Sequence, residues 1–282
     1  MITAEEREYI LKNAYVPEHG VGLMTSVSRG EPYLVEEHLG FKGDGWYILV
    51  GYALDGQFSE ERCDRVFRQA VAEFKPTYLW FIGPTVPGFL GGSCATRESD
   101  LYYRIGPEWE MPRGLERSVR RGARDLSVAE GRSWTGEHEA LVHEFLRRQT
   151  LPPLVRELYR SMPAYVSSCD TSLVLEARNP KGRLTAFFVL DLEPERFATY
   201  VVGCYSRKWY VSHASDLLFA RMIELARERG KETVNLGLGV NPGIRRFKEK
   251  WGGAPFLAYE FCEYRSGLVR APSLIRLLEG KL

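Results

Sequence analysis

The residues between Thr233 and Gly253 constrain the fold of this chain more than any other stretch. Thr233 to Leu238 is apolar and predicts a strand. Asn241-Pro242 then predicts a helix start, because Asn caps the amino terminus of a helix and Pro fits its first position. The glycine pair Gly252-Gly253 predicts the helix end. Ligands bind at the carboxyl ends of strands in open α/β sheets, so we expect a site at this strand-to-helix corner.

Composition excludes several broad classes of function. The 282 residues, 44% apolar and 27% charged, are typical of a soluble globular protein with room for two domains. A net charge of +1 argues against a protein that coats nucleic acid through bulk electrostatics. The amino terminus is acidic without an apolar leader, and no apolar run is long enough to span a bilayer. We therefore expect a cytoplasmic protein with no membrane span.

The cysteines indicate a reduced protein. There are five, an odd number, and they are scattered without paired spacing: Cys63, Cys94, Cys169, Cys204 and Cys262. This pattern favours free thiols over a disulfide framework or a zinc site. We therefore predict no disulfide and no bound metal.

The first half of the chain predicts a small α/β layer. Its predicted elements are short β pieces across Val21 to Val50, a strand at Trp46 to Leu54, a helix capped by Ser59 and ended by Pro76, a strand at Tyr78 to Ile82, a loop from Gly83 to Gly92 and a strand at Leu101 to Ile105. This half contains no glycine motif of the kind that cradles phosphate.

The second half is more regular and begins after a junction at Pro107 to Pro112. Its predicted helices are Gly136 to Arg148, Pro152 to Arg160, Ser215-Asp216 to Gly230, the basic helix of the corner and a short helix at the carboxyl terminus. Its predicted strands are Ser172 to Ala177, Leu184 to Leu190, Phe197 to Cys204, Thr233 to Leu238 and Phe256 to Tyr264. We therefore predict one domain over residues 1–112 and a second over residues 113–282.

A basic segment opens the second predicted domain. Within Gly114 to Asp125 four arginines crowd together: Arg117, Arg120, Arg121 and Arg124. Such a charge run is usually a solvated helix face. The functional alternative is a surface that binds an anion.

The order of the last section resembles that of acyltransferases with the GCN5-related N-acetyltransferase (GNAT) fold. In that family the strand-to-helix corner commonly carries Asn, a small residue, Tyr, Lys and Gly at set spacings. Those positions here hold Asn241, Ile244, Lys248, Lys250 and Gly252. Lys248 thus stands where the family often keeps a tyrosine that acts as general acid. The resemblance implies an α/β (α+β) fold with a mixed, mostly antiparallel sheet flanked by helices.

Lysine at that position resembles the Fem-type aminoacyl-tRNA-dependent transferases, which are tandem repeats of this fold. The Phe247-Lys248 pair followed by two glycines is similar to theirs, as are the pattern from Tyr210 to Gly230 and the sequence Asn235-Leu236-Gly237. The resemblance covers residues 114–264, and the arginine-rich segment matches a basic segment that opens their second domain. It implies tandem GNAT-like domains, with a degenerate first copy and the active site in the second.

The predicted donor site differs from that of acetyl-CoA users of the fold. Those proteins place a glycine-rich loop before the main helix, so that backbone amides hold the pyrophosphate. Val211 to Ser215 stands there instead and lacks the glycines. We therefore expect no tightly bound cofactor, and a donor that is an aminoacyl-tRNA, an acyl carrier or an acyl-CoA. A charged tRNA is one partner that the resemblance implies.

Acyl transfer to an amine requires a bound acceptor, a stabilised oxyanion and a path for protons. Resemblance and chemistry both assign the oxyanion role to Lys248, and a surface lysine is the alternative. The residues predicted to bind substrate or donor lie in the corner or before the main helix: Asn241, Arg245, Arg246, Phe247, Tyr205, Trp209, Tyr210, Ser212, His213 and Ser215. Each also has a structural interpretation as a cap, core packing or solvated charge.

We predict an acyltransferase that moves an acyl or aminoacyl group to a small or peptide-like amine. An acyl-CoA-dependent N-acetyltransferase with an atypical pyrophosphate loop is the alternative among enzymes. A catalytically silent GNAT-fold binding module is the alternative outside them. Cys204 as nucleophile and Glu260 as base are less favoured, because no histidine and carboxylate arrangement is indicated around Cys204.

Overall fold

The computed structural model describes residues 1–151 and 153–265. The elements of the first part, in chain order, are α1 (Ala4–Asn13), a 3₁₀ turn (Pro17–His19), α2 (Val21–Ser28), β1 (Glu31–Val35), β2 (His38–Gly43), β3 (Trp46–Val50), α3 (Glu60–Phe74), β4 (Tyr78–Gly83), α4 (Gly88–Gly91) and β5 (Cys94–Ile105).

The elements of the second part complete a single sheet. They are α5 (Arg113–Asp125), β6 (Ser127–Gly131), α6 (Gly136–Arg148), α7 (Pro153–Ser168), β7 (Ser172–Arg178), β8 (Leu184–Asp191), β9 (Phe197–Tyr205), α8 (Ala214–Glu228), β10 (Thr233–Leu238), α9 (Pro242–Lys250) and β11 (Ala254–Arg265). All eleven described strands hydrogen-bond in the order β1-β2-β3-β4-β11-β5-β10-β9-β8-β7-β6.

The same order of elements occurs twice along the chain. Three antiparallel strands, β1 to β3 or β7 to β9, are followed by a helix and by a strand parallel to the third. A short helix and a long strand complete each set. The two long strands are exchanged, because β11 lies between β4 and β5 while β5 lies beside β10. The exchange joins both sets into one sheet and brings β5 next to the predicted corner.

Helices cover both faces of the second set. On one face α5, α8 and α9 bury a core that includes Phe188 and Trp251. On the other, α6, α7 and part of α2 bury a core that includes Phe187 and Met162. Consecutive residues of β8 therefore enter different cores, which explains why this strand is apolar along its whole length rather than at alternate positions.

Most predicted elements are confirmed, and the predicted fold class is correct. The helix Gly136–Arg148 and the strand Thr233–Leu238 have the predicted bounds. The β interpretation of Val21 to Val50 is wrong at its start, where α2 forms because Val21 and Leu23 each enter a different hydrophobic core. The strand predicted to Leu54 ends at Val50. The helix predicted after Tyr264 lies outside the described residues.

The predicted absence of a disulfide is wrong for one pair of cysteines. Cys94 on β5 and Cys262 on β11 are joined, although 168 residues separate them in sequence. They meet only because these two strands pair, which no local spacing reveals. Cys63, Cys169 and Cys204 are free thiols.

The described residues contain no helix long and apolar enough to cross a membrane. They also contain no group of three or more His, Cys, Asp or Glu side chains placed to hold a metal ion. The domain boundary at residue 112, which falls between β5 and α5, stays a prediction, as does the cytoplasmic location.

Candidate active site

The candidate active site is a gap between the parallel strands β9 and β10. The two strands pair only where Phe197 to Thr199 faces Thr233 to Asn235. Beyond that point β9 continues to Tyr205 and β10 to Leu238, but the two strands no longer pair with each other. The facing edge of β9 therefore presents backbone polar groups that need partners other than a strand.

The corresponding pair in the first half of the chain stays closed. Strands β3 and β4 pair from Trp46 to Val50 against Tyr78 to Ile82. The N–H of Gly51 extends the ladder by donating to the carbonyl of Ile82 at 2.6 Å. The second pair therefore provides the gap that the first lacks.

Side chains from the helices reach the open edge of β9. The hydroxyl of Tyr159 on α7 donates to the carbonyl of Gly203 at 3.1 Å. The guanidinium of Arg148 on α6 donates to the carbonyl of Tyr205 at 3.3 Å. These contacts supply hydrogen-bond partners to part of the β9 edge that β10 leaves unpaired, so the fold accommodates the gap.

Lys248 on α9 places its amine at the end of β10. The residue is 3% exposed, and Nζ donates to the carbonyl of Leu238 at 2.5 Å. Nζ also lies 5.9 Å from the ring centroid of Tyr103. Burial lowers the pKa of Lys248 to about 7, against the opposing effect of the Asp100 carboxylate. The amine is therefore poised between its charged and neutral forms near neutral pH.

Gly237 marks where the amine and β9 come together. Its φ of +72° is in the left-handed region that glycine tolerates. A Cβ added there would lie 3.8 Å from the carbonyl oxygen of Tyr200 and 4.0 Å from Nζ of Lys248. The small residue thus leaves space between the two strands beside the lysine.

Strand β5, from the first half of the chain, supplies two further residues of the site. The carboxylate of Asp100 accepts a 2.8 Å hydrogen bond from the N–H of Val240 and lies 3.5 Å from Arg245. Val240 has a φ of +57°, which β-branched residues rarely adopt. The sequence does not predict Asp100 and Tyr103 as residues of the site, because only the strand exchange brings them to α9.

The remaining predicted residues of the corner have mainly structural contacts. Asn241 caps α9, with Oδ1 accepting from the N–H groups of Gly243 and Ile244 at 3.0 Å each. Phe247 packs edge-to-face on Phe219 of α8 at 5.3 Å. Arg246 is exposed and makes no ion pair within the described residues. These contacts fix α9 against the sheet, which holds Lys248 in place.

The predicted donor loop leads into a charged cluster. His213 is the residue before α8, with a φ of +67°, and Nδ1 lies 3.2 Å from Asp216. Asp216 also accepts from Lys250 at 2.6 Å and Trp251 at 3.1 Å. Although burial acts in the opposite direction, these donors hold the pKa of Asp216 below its ordinary value. His213 is thereby tied to the start of α8.

Ser212 and Ser215 flank that histidine. Ser212 is exposed and Ser215 is half-buried. Neither side chain makes a hydrogen bond to the described part of the chain. Both hydroxyls therefore remain available at the start of α8.

The predicted aromatic residues form a surface patch with cations at the end of β9. Trp209 is 37% exposed and Tyr210 is 62% exposed. The guanidinium of Arg183 lies 4.5 Å above the Trp209 ring, and the Lys208 amine lies 5.2 Å from it. Tyr205 lies beneath, with its ring 6.2 Å from that of Tyr210. We call Trp209, Tyr210, Arg183 and Lys208 the aromatic patch.

The arginine-rich segment forms one exposed face of α5. Five arginines at helical spacing share this face: Arg113, Arg117, Arg120, Arg121 and Arg124. Within the described residues their ion pairing is limited to Arg120 with Glu116 at 3.6 Å. Gly122, on the buried face, packs so closely that an added Cβ would lie 3.0 Å from the carbonyl oxygen of His213. The buried face of α5 therefore packs against the start of α8, and the arginine face on the other side of the helix is exposed.

Two less favoured candidates have other contacts. Burial raises the pKa of the Cys204 thiol, which is 2% exposed. The Glu260 carboxylate accepts from Arg97 at 3.0 Å and from Ser99 at 2.8 Å. Neither is arranged as a nucleophile or base at the gap.

Comparisons with known proteins identify the fold. No protein-family model matches the chain, and no curated protein does. Among solved structures, FemX superposes with a TM-score of 0.64 at 10% identity, covering 92% of this chain and 96% of that chain. The C-terminal domain of a candidate lysylphosphatidylglycerol synthetase from Agrobacterium fabrum has a TM-score of 0.58 at 19% identity, covering 94% and 93%.

A tandem GNAT protein from the clavulanic acid biosynthesis pathway also superposes, with a TM-score of 0.54 at 13% identity over 94% of this chain and 95% of that chain. The protein therefore has the GNAT fold, as its element order predicts. It shares that fold with FemX along nearly the whole of both chains, which confirms the predicted Fem-like resemblance at the level of the fold.

Proposed function

We propose that this protein transfers an acyl or aminoacyl group to an amine acceptor in the gap between β9 and β10. The observation that supports this most directly is the position of Lys248, a buried amine at the end of β10 beside the open edge of β9. A fold alone does not define a reaction, so the proposal depends on this site.

In the proposed reaction the acceptor amine attacks the acyl carbon and a new N–C bond forms. The carbonyl oxygen becomes an oxyanion, to which the Lys248 ammonium donates a hydrogen bond. Such a donor is most effective in a partly dry site, because little water competes for the charge. When the intermediate collapses, the bond between the acyl carbon and the ester oxygen of the donor breaks. The proton lost by the attacking nitrogen passes to that leaving oxygen.

Two exposed surfaces favour an aminoacyl-tRNA as the donor. The arginine face of α5 offers five positive charges, which suits a phosphate backbone. The aromatic patch combines exposed rings with cations, as in proteins that stack single-stranded bases. His213, four residues after Trp209, packs against the buried face of α5 at Gly122, on the side of the helix opposite the arginines. The chain lacks the glycine loop that acetyl-CoA users carry at this position.

Binding measurements test the donor. We expect tRNA to bind with an affinity that falls with salt, because arginine contacts release counterions from the phosphates. The double variant Arg117→Gln/Arg121→Gln should weaken binding. It should also reduce the slope of log affinity against log salt concentration by about two, roughly one for each lost phosphate contact. Trp209→Ala should weaken binding of a charged tRNA through lost stacking, about 1–3 kcal/mol. Arg68→Gln, on α3 and paired with Asp64, is the matched control.

The alternatives correspond to other outcomes of the same measurements. Submicromolar binding of acetyl-CoA with no binding of tRNA would exclude the tRNA donor in favour of an acyl-CoA-dependent enzyme. Binding without transfer from charged tRNA, acyl carrier or acyl-CoA would favour a silent GNAT-fold binding module.

A further inference from the structure

A cavity lies where the two halves of the chain meet, on the sheet face opposite α8 and α9. Its volume is about 220 Å³. The starts of β9 and β10 form one wall, and Tyr15 and Phe256 contribute to the others. We call it the junction cavity. None of its lining residues belongs to the arginine face or the aromatic patch.

One buried residue that lines the junction cavity has a polar group without a partner in the described residues. Asn235 is 2% exposed, and its Oδ1 accepts from the N–H of Gly237 at 2.8 Å. Its Nδ2 has no hydrogen-bond partner in the described residues. Thr199 faces Asn235 across the strand pair, and its buried Oγ1 is likewise unpartnered within them. Buried polar groups normally have partners, so this pair indicates a place for a polar ligand group.

The charges that face the cavity are Arg104, Arg196 and Glu232. Arg196 and Glu232 pair with each other at 2.7 Å and largely cancel. Arg104 is exposed, with its guanidinium 4.7 Å from the ring centroid of Phe256, and makes no ion pair within the described residues. It lies directly opposite Asn235 in the pairing of β5 with β10. One positive charge therefore remains to attract an anion.

Asn235 lines the cavity and also borders the gap. This residue stands at the last paired position of β9 and β10, and one end of its amide contacts Gly237 beside Lys248. Gly237 comes two positions after Asn235, which is at most about 7 Å along the strand. The part of the cavity lined by Asn235 therefore lies close to the proposed reaction centre along β10.

We propose that the junction cavity binds an anionic group, a carboxylate or a phosphate, on the acceptor whose amine reacts beside Lys248. Arg104 holds the anion, and the Asn235 amide orients the segment that enters the gap. The acceptor is thus a small amine with an acidic group several bonds away. This inference rests on the proposed acyl transfer, which it makes more specific.

Calorimetry with matched probes tests the inference. In the carboxylate arm, 6-aminohexanoate is compared with its neutral isostere 6-aminohexanamide. In the phosphate arm, 3-aminopropyl phosphate is compared with 3-amino-1-propanol. We expect an acidic probe to bind more tightly than its neutral partner. Arg104→Gln should lower the affinity for the acidic probe roughly tenfold to a hundredfold. Arg97→Gln, on the same strand but paired with Glu260, should leave that affinity unchanged.

The arm with the tighter acidic probe identifies the acidic group. Equal binding of acidic and neutral probes, no effect of Arg104→Gln, or no binding in either arm would overturn the inference. Failure of the proposed function gives a different result. In that case Arg104→Gln still weakens binding of the acidic probe, while the wild-type protein transfers no acyl group to any amine.

Discussion

The carboxylate of Asp100 accepts a 2.8 Å hydrogen bond from the backbone N–H of Val240. A strand from the first half of the chain therefore holds the turn that leads into the lysine-bearing helix of the second. Because Val240 has a positive φ, the turn is strained and depends on this support. The candidate site is assembled from both halves, although its lysine is encoded in one.

Asp100→Ala should destabilise the protein by about 1–3 kcal/mol, because it leaves the Val240 N–H without its partner. Urea unfolding measures this loss. Asp100→Asn retains an acceptor oxygen and should keep most of the stability. Equal free energies of unfolding for the wild type and the alanine variant would show that the turn does not depend on Asp100.

Lys248→Met should increase stability while removing function. The pKa of Lys248 is about 7 in the folded protein, below its ordinary value of 10.5. Between these pH values the unfolded chain binds a proton that the folded chain lacks, so wild-type stability rises with pH. The variant lacks this dependence. At pH 6 the variant should be more stable than the wild type by on the order of a few kcal/mol. Loss of the hydrogen bond to Leu238 reduces that gain by about 1 kcal/mol.

Unfolding experiments from pH 6 to pH 10 measure that difference, which should shrink as the pH rises. Lys250→Met is the control, since Lys250 is on the same helix but is 45% exposed. A difference between wild type and Lys248→Met that is constant with pH would contradict a lowered pKa.

Gly237→Ala should impair transfer more than its cost in stability explains. The left-handed backbone at Gly237 costs an L-residue about 1–2 kcal/mol, and the new Cβ would also occupy space beside Lys248. Gly230→Ala is a matched control, because its φ is +70° but an added Cβ there meets nothing within 4 Å. We expect both variants to lose a similar amount of their free energy of unfolding, and only Gly237→Ala to lose activity. Equal activity in both variants would show that the gap tolerates the methyl group.

The protonation state of Lys248 sets the pH dependence of transfer. With an acceptor whose own pKa lies well below 7, the single-turnover rate should fall as the pH rises through about 7, because the ammonium form stabilises the oxyanion. Asp100→Asn should move the midpoint to lower pH, since the Asp100 carboxylate raises the pKa of the amine. A rate that instead rises through pH 7 would identify the neutral amine as a general base.

Local sequence signals predicted what local structure determines. The Asn241 cap, the strand before it and the position of Lys248 depend on a few adjacent residues, and the structure has them as expected. Asp100, Tyr103 and the disulfide partner of Cys94 were not predictable, because the exchange of β5 and β11 brings distant segments together. Pairing between remote strands leaves no periodic pattern in the sequence.

The most direct test of the central claim is the rate at which an aminoacyl group passes from charged tRNA to an amine acceptor. Single-turnover measurements on the wild type, Lys248→Met and the control Lys250→Met isolate the buried lysine from its exposed neighbour. We predict that Lys248→Met lowers the rate about 100-fold or more, as expected for loss of an oxyanion donor, and that Lys250→Met retains most of it. An unchanged rate in Lys248→Met would contradict the account.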